Sequence, residues 1–136
     1  MYAQTYLFLD GRTEEALEFY KKAIGAQVTT MFKFKESPDK AHIPPGGEDK
    51  VMHAVFKIGD TNIMISDGMN QGNPKFDGFA LSIHAKDEAE VKRYFDALVE
   101  GGEVTMPPTE SFFAKSFGML KDKFGVNWMV IAPKPM

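Results

Sequence analysis

Cysteine is absent from the 136 residues. Disulfides, thiol nucleophiles and thiolate metal sites are therefore excluded, and a reducing cytoplasm is the expected compartment. Positive charge is not in excess. Sixteen Lys and Arg stand against nineteen Asp and Glu, a formal net charge of −3. With a pI near 5.6 and no long basic run, neither nucleic acid nor an anionic membrane is an expected partner. No apolar run approaches the roughly 20 residues of a spanning helix. The N-terminus lacks the basic flank and cleavage pattern of an export signal. There is no glycine-rich phosphate loop followed by a lysine, and no Ser/His/Asp arrangement can be read from residue order. What is present is ordinary for one globular domain spanning 1–136: 43% hydrophobic and 26% charged residues. Nine Met and twelve Phe are a high share. They suit a soft core or an adaptable apolar pocket.

The pattern repeats. Ala16, Phe19, Tyr20, Ala23 and Ile24 follow the spacing of one helix face, and so do Val91, Tyr94, Phe95, Leu98 and Val99. Ala16 to Val91 and Ile24 to Val99 each span 75 positions. Each helix runs into glycine and an extended valine, Gly25 to Val28 and Gly101 to Val104, with one extra residue the second time. Self-similarity at a fixed interval points to a duplicated unit.

The flanks test that reading. Tyr2 to Leu9 is aromatic and β-branched enough for a strand, with Leu7 and Leu9 on one face and Tyr6 and Phe8 on the other. Thr13 is placed to cap the first helix, and Gly25 to end it. Gln27 to Phe34 is a second strand. Glu36 to Lys50, which contains His42, is a surface loop or lid. Val51 to Ile58 alternates, with Met52, Ala54, Phe56 and Ile58 apolar on one face and His53, Val55 and Lys57 on the other. A turn at Gly59-Asp60 leads to the strand Thr61 to Asp67. The polar, glycine-rich stretch Gly68 to Gly78 divides module one (1–68) from module two (78–136). Module two then gives the strand Phe79 to Ala85, a helix capped by Asp87, an extended segment Glu103 to Met106 broken at Pro107-Pro108, and the strands Phe112 to Leu120 and Val126 to Ile131. Both halves read βαβββ. The expected fold is therefore α+β: two βαβββ modules, with sheets curled around a shared cleft and helices outside. Leu7, Leu9, Met52, Phe56, Phe79, Leu81 and Ile83 would face the helices. Tyr6, Phe8, His53, Val55, Ser82 and His84 would line the cleft.

Four stretches carry a family resemblance: YLFLDGRTEEALEFYKKAIGA, VMHAVFKIGDTNIMISD, GFALSIHAKDEAEVKRYFDALVEGGEV and ESFFAKSFGMLKDKFGVNWMV. With the paired βαβββ pattern, they resemble the vicinal oxygen chelate superfamily of glyoxalases, bleomycin-resistance proteins and extradiol dioxygenases. More narrowly they resemble its PhnB-like branch. DKFGVNWM is the most specific run, and Phe112-Phe113 departs from the branch's usual Phe-Trp. The resemblance implies a divalent metal held by residues near Gln4 or Thr5, near Phe79 or Ala80, and at Met129. None of these is a good ligand for zinc, iron or manganese. No cofactor is therefore expected, and the usual Lewis-acid chemistry lacks its scaffold. Related proteins carry a methyltransferase label in ubiquinone synthesis, but this chain has no nucleoside-binding glycine motif. Superfamily members commonly pair, which implies a homodimer.

His53 is the foremost candidate. On the mixed face of its strand it could bind an anion or act as a general base, or serve as a structural histidine. Asp67 could orient it, or cap a turn before Gly68. Phe112, Phe113, Phe117 and Trp128 could wall an apolar pocket around Glu110 and Lys115, or belong to a core. The expected ligand-binding set is Tyr6, Phe8, His53, Ser82, Phe113 and Trp128. The function expected from these features is binding of a small organic ligand in an apolar cleft, without the usual metal triad. The alternative is a lyase, isomerase or dioxygenase-like enzyme with a rewired site using His53, Asp67 and a divalent metal. A protein–protein module is a third reading.

Overall fold

The computed structural model describes residues 1–39, 43–68 and 74–135, so His42 lies outside the described residues. The chain divides into two units, 1–74 and 75–136. The first contains β1 (Tyr6–Phe8), α1 (Thr13–Ile24), β2 (Gln27–Lys33), a 3-10 turn (Phe34–Glu36), β3 (Val51–Ile58) and β4 (Thr61–Ser66). The second contains β5 (Leu81–His84), α2 (Glu88–Val99), β6 (Glu103–Thr109), β7 (Ala114–Lys121) and β8 (Asn127–Pro133). Both units are βαβββ. Their four-stranded sheets share one topology, β1-β4-β3-β2 and β5-β8-β7-β6. In each, the first strand runs parallel to the last and the other neighbours are antiparallel.

In the first unit the helix covers one face of its sheet. Ala16, Leu17 and Tyr20 are buried on α1, and Leu7, Leu9, Ala54, Phe56, Ile63 and Ile65 are buried on or beside the strands. The Tyr20 and Phe56 rings stack at 5.5 Å. Each of the buried leucine, isoleucine and phenylalanine side chains contributes about 1.5–3 kcal/mol. Leu17 joins the expected helix face, while Phe19 and Ile24 lie at its margin. Gly25 ends α1 at φ 69°, and its N–H donates to the Lys21 carbonyl. A left-handed residue here closes the last turn at little cost only if it is glycine.

Thr13 is not the cap of α1. Arg12 holds that position without a side-chain capping bond, its guanidinium pairing instead with Glu15. Asp67 does the work from the far end of β4, accepting from the backbone N–H of Gly11 at 2.7 Å and of Thr13 at 3.0 Å. The second helix follows the expectation, since the Asp87 side chain accepts from Glu90 N–H at 2.9 Å.

In the second unit Val91, Phe95 and Leu98 of α2 are buried, as are Ala114, Leu120, Trp128 and Val130. The strand boundaries differ from expectation, and three of the differences have a visible cause. Phe79 precedes β5 and is 48% exposed, with its ring edge-on to Phe76 at 6.4 Å. The left-handed Gly78 turns the chain just before it, so Phe79 does not share the helix-facing row. Phe112 and Phe113 precede β7, because Ser111 Oγ accepts from the N–H groups of Phe113 and Ala114 and forms a turn there. Conversely, β6 continues through Pro107 and Pro108. It is an edge strand, so a proline can sit where no ladder donor is needed, and the register shifts between Met106 and Thr109.

Candidate functional site

Strand alternation sends Tyr6 and Phe8 to the sheet face turned away from α1. His53 lies on that face too, because Ala54 beside it is buried on the helix side. The register sets Tyr6 opposite Met64, Met64 opposite Val55, and Phe32 opposite His53. The Tyr6 hydroxyl lies 3.0 Å from His53 Nδ1. The Tyr6 and Phe8 rings stack at 4.7 Å, and the Tyr6 and His53 rings lie 5.7 Å apart. Phe8 and Phe32 are each 46% exposed. The face is thus an apolar strip with one polar pair at its centre.

Asp67 is not part of that pair. Its Oδ1 takes the two amides at the start of α1, and its Oδ2 accepts from Val51 N–H at 2.8 Å. The carboxylate is 2% exposed and joins β3, β4 and α1. The residue that meets His53 is Tyr6.

In the second unit, Ser82 and His84 lie exposed on β5. Ser82 pairs with Met129, and Met129 with Met119. Phe113 packs edge-on to Phe112 at 5.2 Å and to Phe117 at 5.4 Å. Phe112 is 85% exposed. Glu110 forms an ion pair with Lys134 at 2.9 Å, and Lys115 is exposed. Trp128 is separate from this cluster. It is 1% exposed, and its indole N–H donates to Asp122 Oδ2 at 2.8 Å. Asp122 Oδ1 also accepts from Phe124 and Val126 N–H at 2.9 and 3.0 Å. Trp128 is therefore core, and the DKFGVNWM run forms a turn built around a buried carboxylate. A sequence reading could have found this from Asp122, since an aspartate that opens a turn three residues before a glycine commonly holds main-chain amides.

The positions that the resemblance assigns to a metal fit one poorly. Gln4 is an exposed amide, Phe79 and Ala80 have no donor, and Met129 is a neutral thioether. Hard and borderline divalent ions favour carboxylate and imidazole. Among the described residues, no group of three or more His, Cys, Asp or Glu stands close enough to share an ion. Among the same residues, no helix is long and apolar enough to cross a membrane.

Comparison with known proteins gives several relatives. The family model described as 3-demethylubiquinone-9 3-methyltransferase matches residues 2–131. Protein YjdN of Escherichia coli (strain K12) is 35% identical over 133 residues, covering 92% of this chain and 90% of that protein. Among solved structures, protein PA1353 from Pseudomonas aeruginosa is 36% identical at a TM-score of 0.82, over 96% of this chain and 98% of that one. A PhnB protein from Bacillus cereus is 28% identical at a TM-score of 0.81, over 97% and 99%. A glyoxylase/bleomycin resistance protein/dioxygenase domain from Frankia sp. EAN1pec shares the fold at 16% identity and a TM-score of 0.66, over 98% and 92%.

Proposed function

We propose that this chain, which belongs to the 3-demethylubiquinone-9 3-methyltransferase family within the PhnB-like branch of the vicinal oxygen chelate superfamily, binds a small organic molecule without the usual metal triad. One observation carries the reading: the stacked Tyr6–Phe8 rings beside His53, on a sheet face that the module's own helix leaves uncovered. Aromatic faces with one convergent polar group are the usual make-up of a small-molecule site. Ser82 and the Phe113–Phe117 pair offer a second, similar surface in the other module. In this reading the two modules act as one domain, and two chains pair.

The family's description names a methyltransferase, but the sequence supplies no nucleoside-binding glycine motif for a methyl donor. The Tyr6–His53 bond favours one second reading, proton transfer to or from a bound substrate by His53. Asp67 takes no part in it, because its oxygens are held by main-chain amides.

Native mass spectrometry with metal analysis of the purified protein tests the proposal. The expected result is a dimer carrying an organic adduct and no stoichiometric metal. Stoichiometric metal that is lost in His53→Ala would overturn the proposal in favour of a rewired metal enzyme.

A further inference from the structure

We infer that Tyr6 holds His53 in the tautomer that keeps its proton on Nε2, and that this N–H selects aromatic ligands carrying an anionic or carbonyl oxygen. The inference rests on the proposed ligand-binding role of this face and names the class of ligand. A neutral imidazole has one donor and one acceptor nitrogen, and the partner of one nitrogen decides the role of the other. Here Nδ1 faces the Tyr6 hydroxyl at 3.0 Å. Phenol is a stronger acid than neutral imidazole, so the stable arrangement has the Tyr6 O–H donating to the Nδ1 lone pair. The remaining proton then sits on Nε2.

The surroundings favour a flat ligand. Tyr6 and Phe8 already stack at 4.7 Å with their planes 24° apart, so the outer face of Phe8 can take a further ring. On the other side of His53 stands Phe32, its register partner on β2. Three strand spacings of about 4.8 Å separate β1 from β2, so the backbones carrying Phe8 and Phe32 stand roughly 14 Å apart with His53 between them. A flat bicyclic molecule can span an aromatic surface of that kind. A ligand lying there without an acceptor would leave the Nε2 proton desolvated and unpaired. One with a suitably placed oxygen would satisfy it.

Two fluorescent probes separate these effects. 8-Anilino-1-naphthalenesulfonate carries an anionic oxygen, and N-phenyl-1-naphthylamine has the same rings without it. The expected result is that His53→Phe weakens the sulfonate probe about tenfold more than it weakens the neutral probe. Phe8→Ala should weaken both. His53→Gln, which keeps an N–H donor, should recover part of the sulfonate affinity. In the wild-type protein, 15N NMR should show Nδ1 of His53 unprotonated at neutral pH. Tyr6→Phe should mix the two tautomers, read in the same 15N spectrum. Equal loss of both probes in His53→Phe, or a protonated Nδ1 in the neutral wild-type ring, would overturn the inference while leaving aromatic binding intact. Failure of both probes to bind the wild type, or indifference of both to Phe8→Ala, would overturn the binding role of this face as well.

Discussion

Replacing Asp67 by Ala removes the acceptor for the main-chain N–H groups of Gly11, Thr13 and Val51 together. Hydrogen bonds to a charged acceptor contribute roughly 1.5–3 kcal/mol each, and they are not additive when they share one carboxylate. The expected cost is about 3 kcal/mol, or on the order of a 10 °C fall in Tm, read by denaturant and thermal unfolding. A loss below about 1 kcal/mol would show that water replaces the carboxylate freely. Alternation along β1 and β3 was enough to put Tyr6, Phe8 and His53 on one face. The role of Asp67 was not legible, because its partner at Thr13 lies 54 positions away in sequence. For the same reason Thr13 is a plausible cap by local rules, yet a residue brought in by the sheet takes over that work. Trp128 misleads in a similar way. Its aromatic character suits a pocket wall or a core equally, and only the Asp122 bond decides for the core.

At the scale of elements, the two helices do equivalent jobs with different contacts. Tyr20 and Phe95 occupy matching positions in the repeat. Tyr20 stacks on the Phe56 ring, whereas Phe95 lies over Gly118, where a Cβ would come within 2.9 Å of the Phe95 ring. Large against large in one module is matched by large against nothing in the other. Gly118→Ala is therefore expected to push α2 away from β7 at a cost of about 1–3 kcal/mol, measured by equilibrium unfolding. Phe95→Leu in the same chain should recover part of that loss, because the two changes share one space. Strictly additive losses would contradict the packing. The existence of both helices and most strands could be read from periodicity alone. Their ends could not where side chains or edges intervene: Ser111 delays β7 to Ala114, and edge position lets β6 run through two prolines.

Across the whole molecule, a repeat interval of 75 positions joins Tyr6 to Leu81 at the start of β1 and β5, and Thr13 to Glu88 at the start of the helices. It grows by one at Gln27 and Glu103, where an extra glycine precedes β6. Beyond that point the interval drifts, because the loops before β3 and β7 differ in length. The sheet order survives the drift. The duplication and its βαβββ content were thus visible in the sequence, since they are written in apolar spacing. The parallel pairing of first and last strands was not, because no local signal encodes which edges meet. The metal positions follow the resemblance and not the repeat, and the residues that occupy them are poor ligands for a divalent ion.

The most direct test of aromatic-ligand binding at Tyr6, Phe8 and His53 is amide and side-chain NMR shift mapping during titration with 8-anilino-1-naphthalenesulfonate. Saturating shifts are expected on β1 and β3 around those residues and on Phe32, with α1 and the Asp67 amide unmoved. Shifts confined to the helices, or scattered without saturation, would contradict a binding face there.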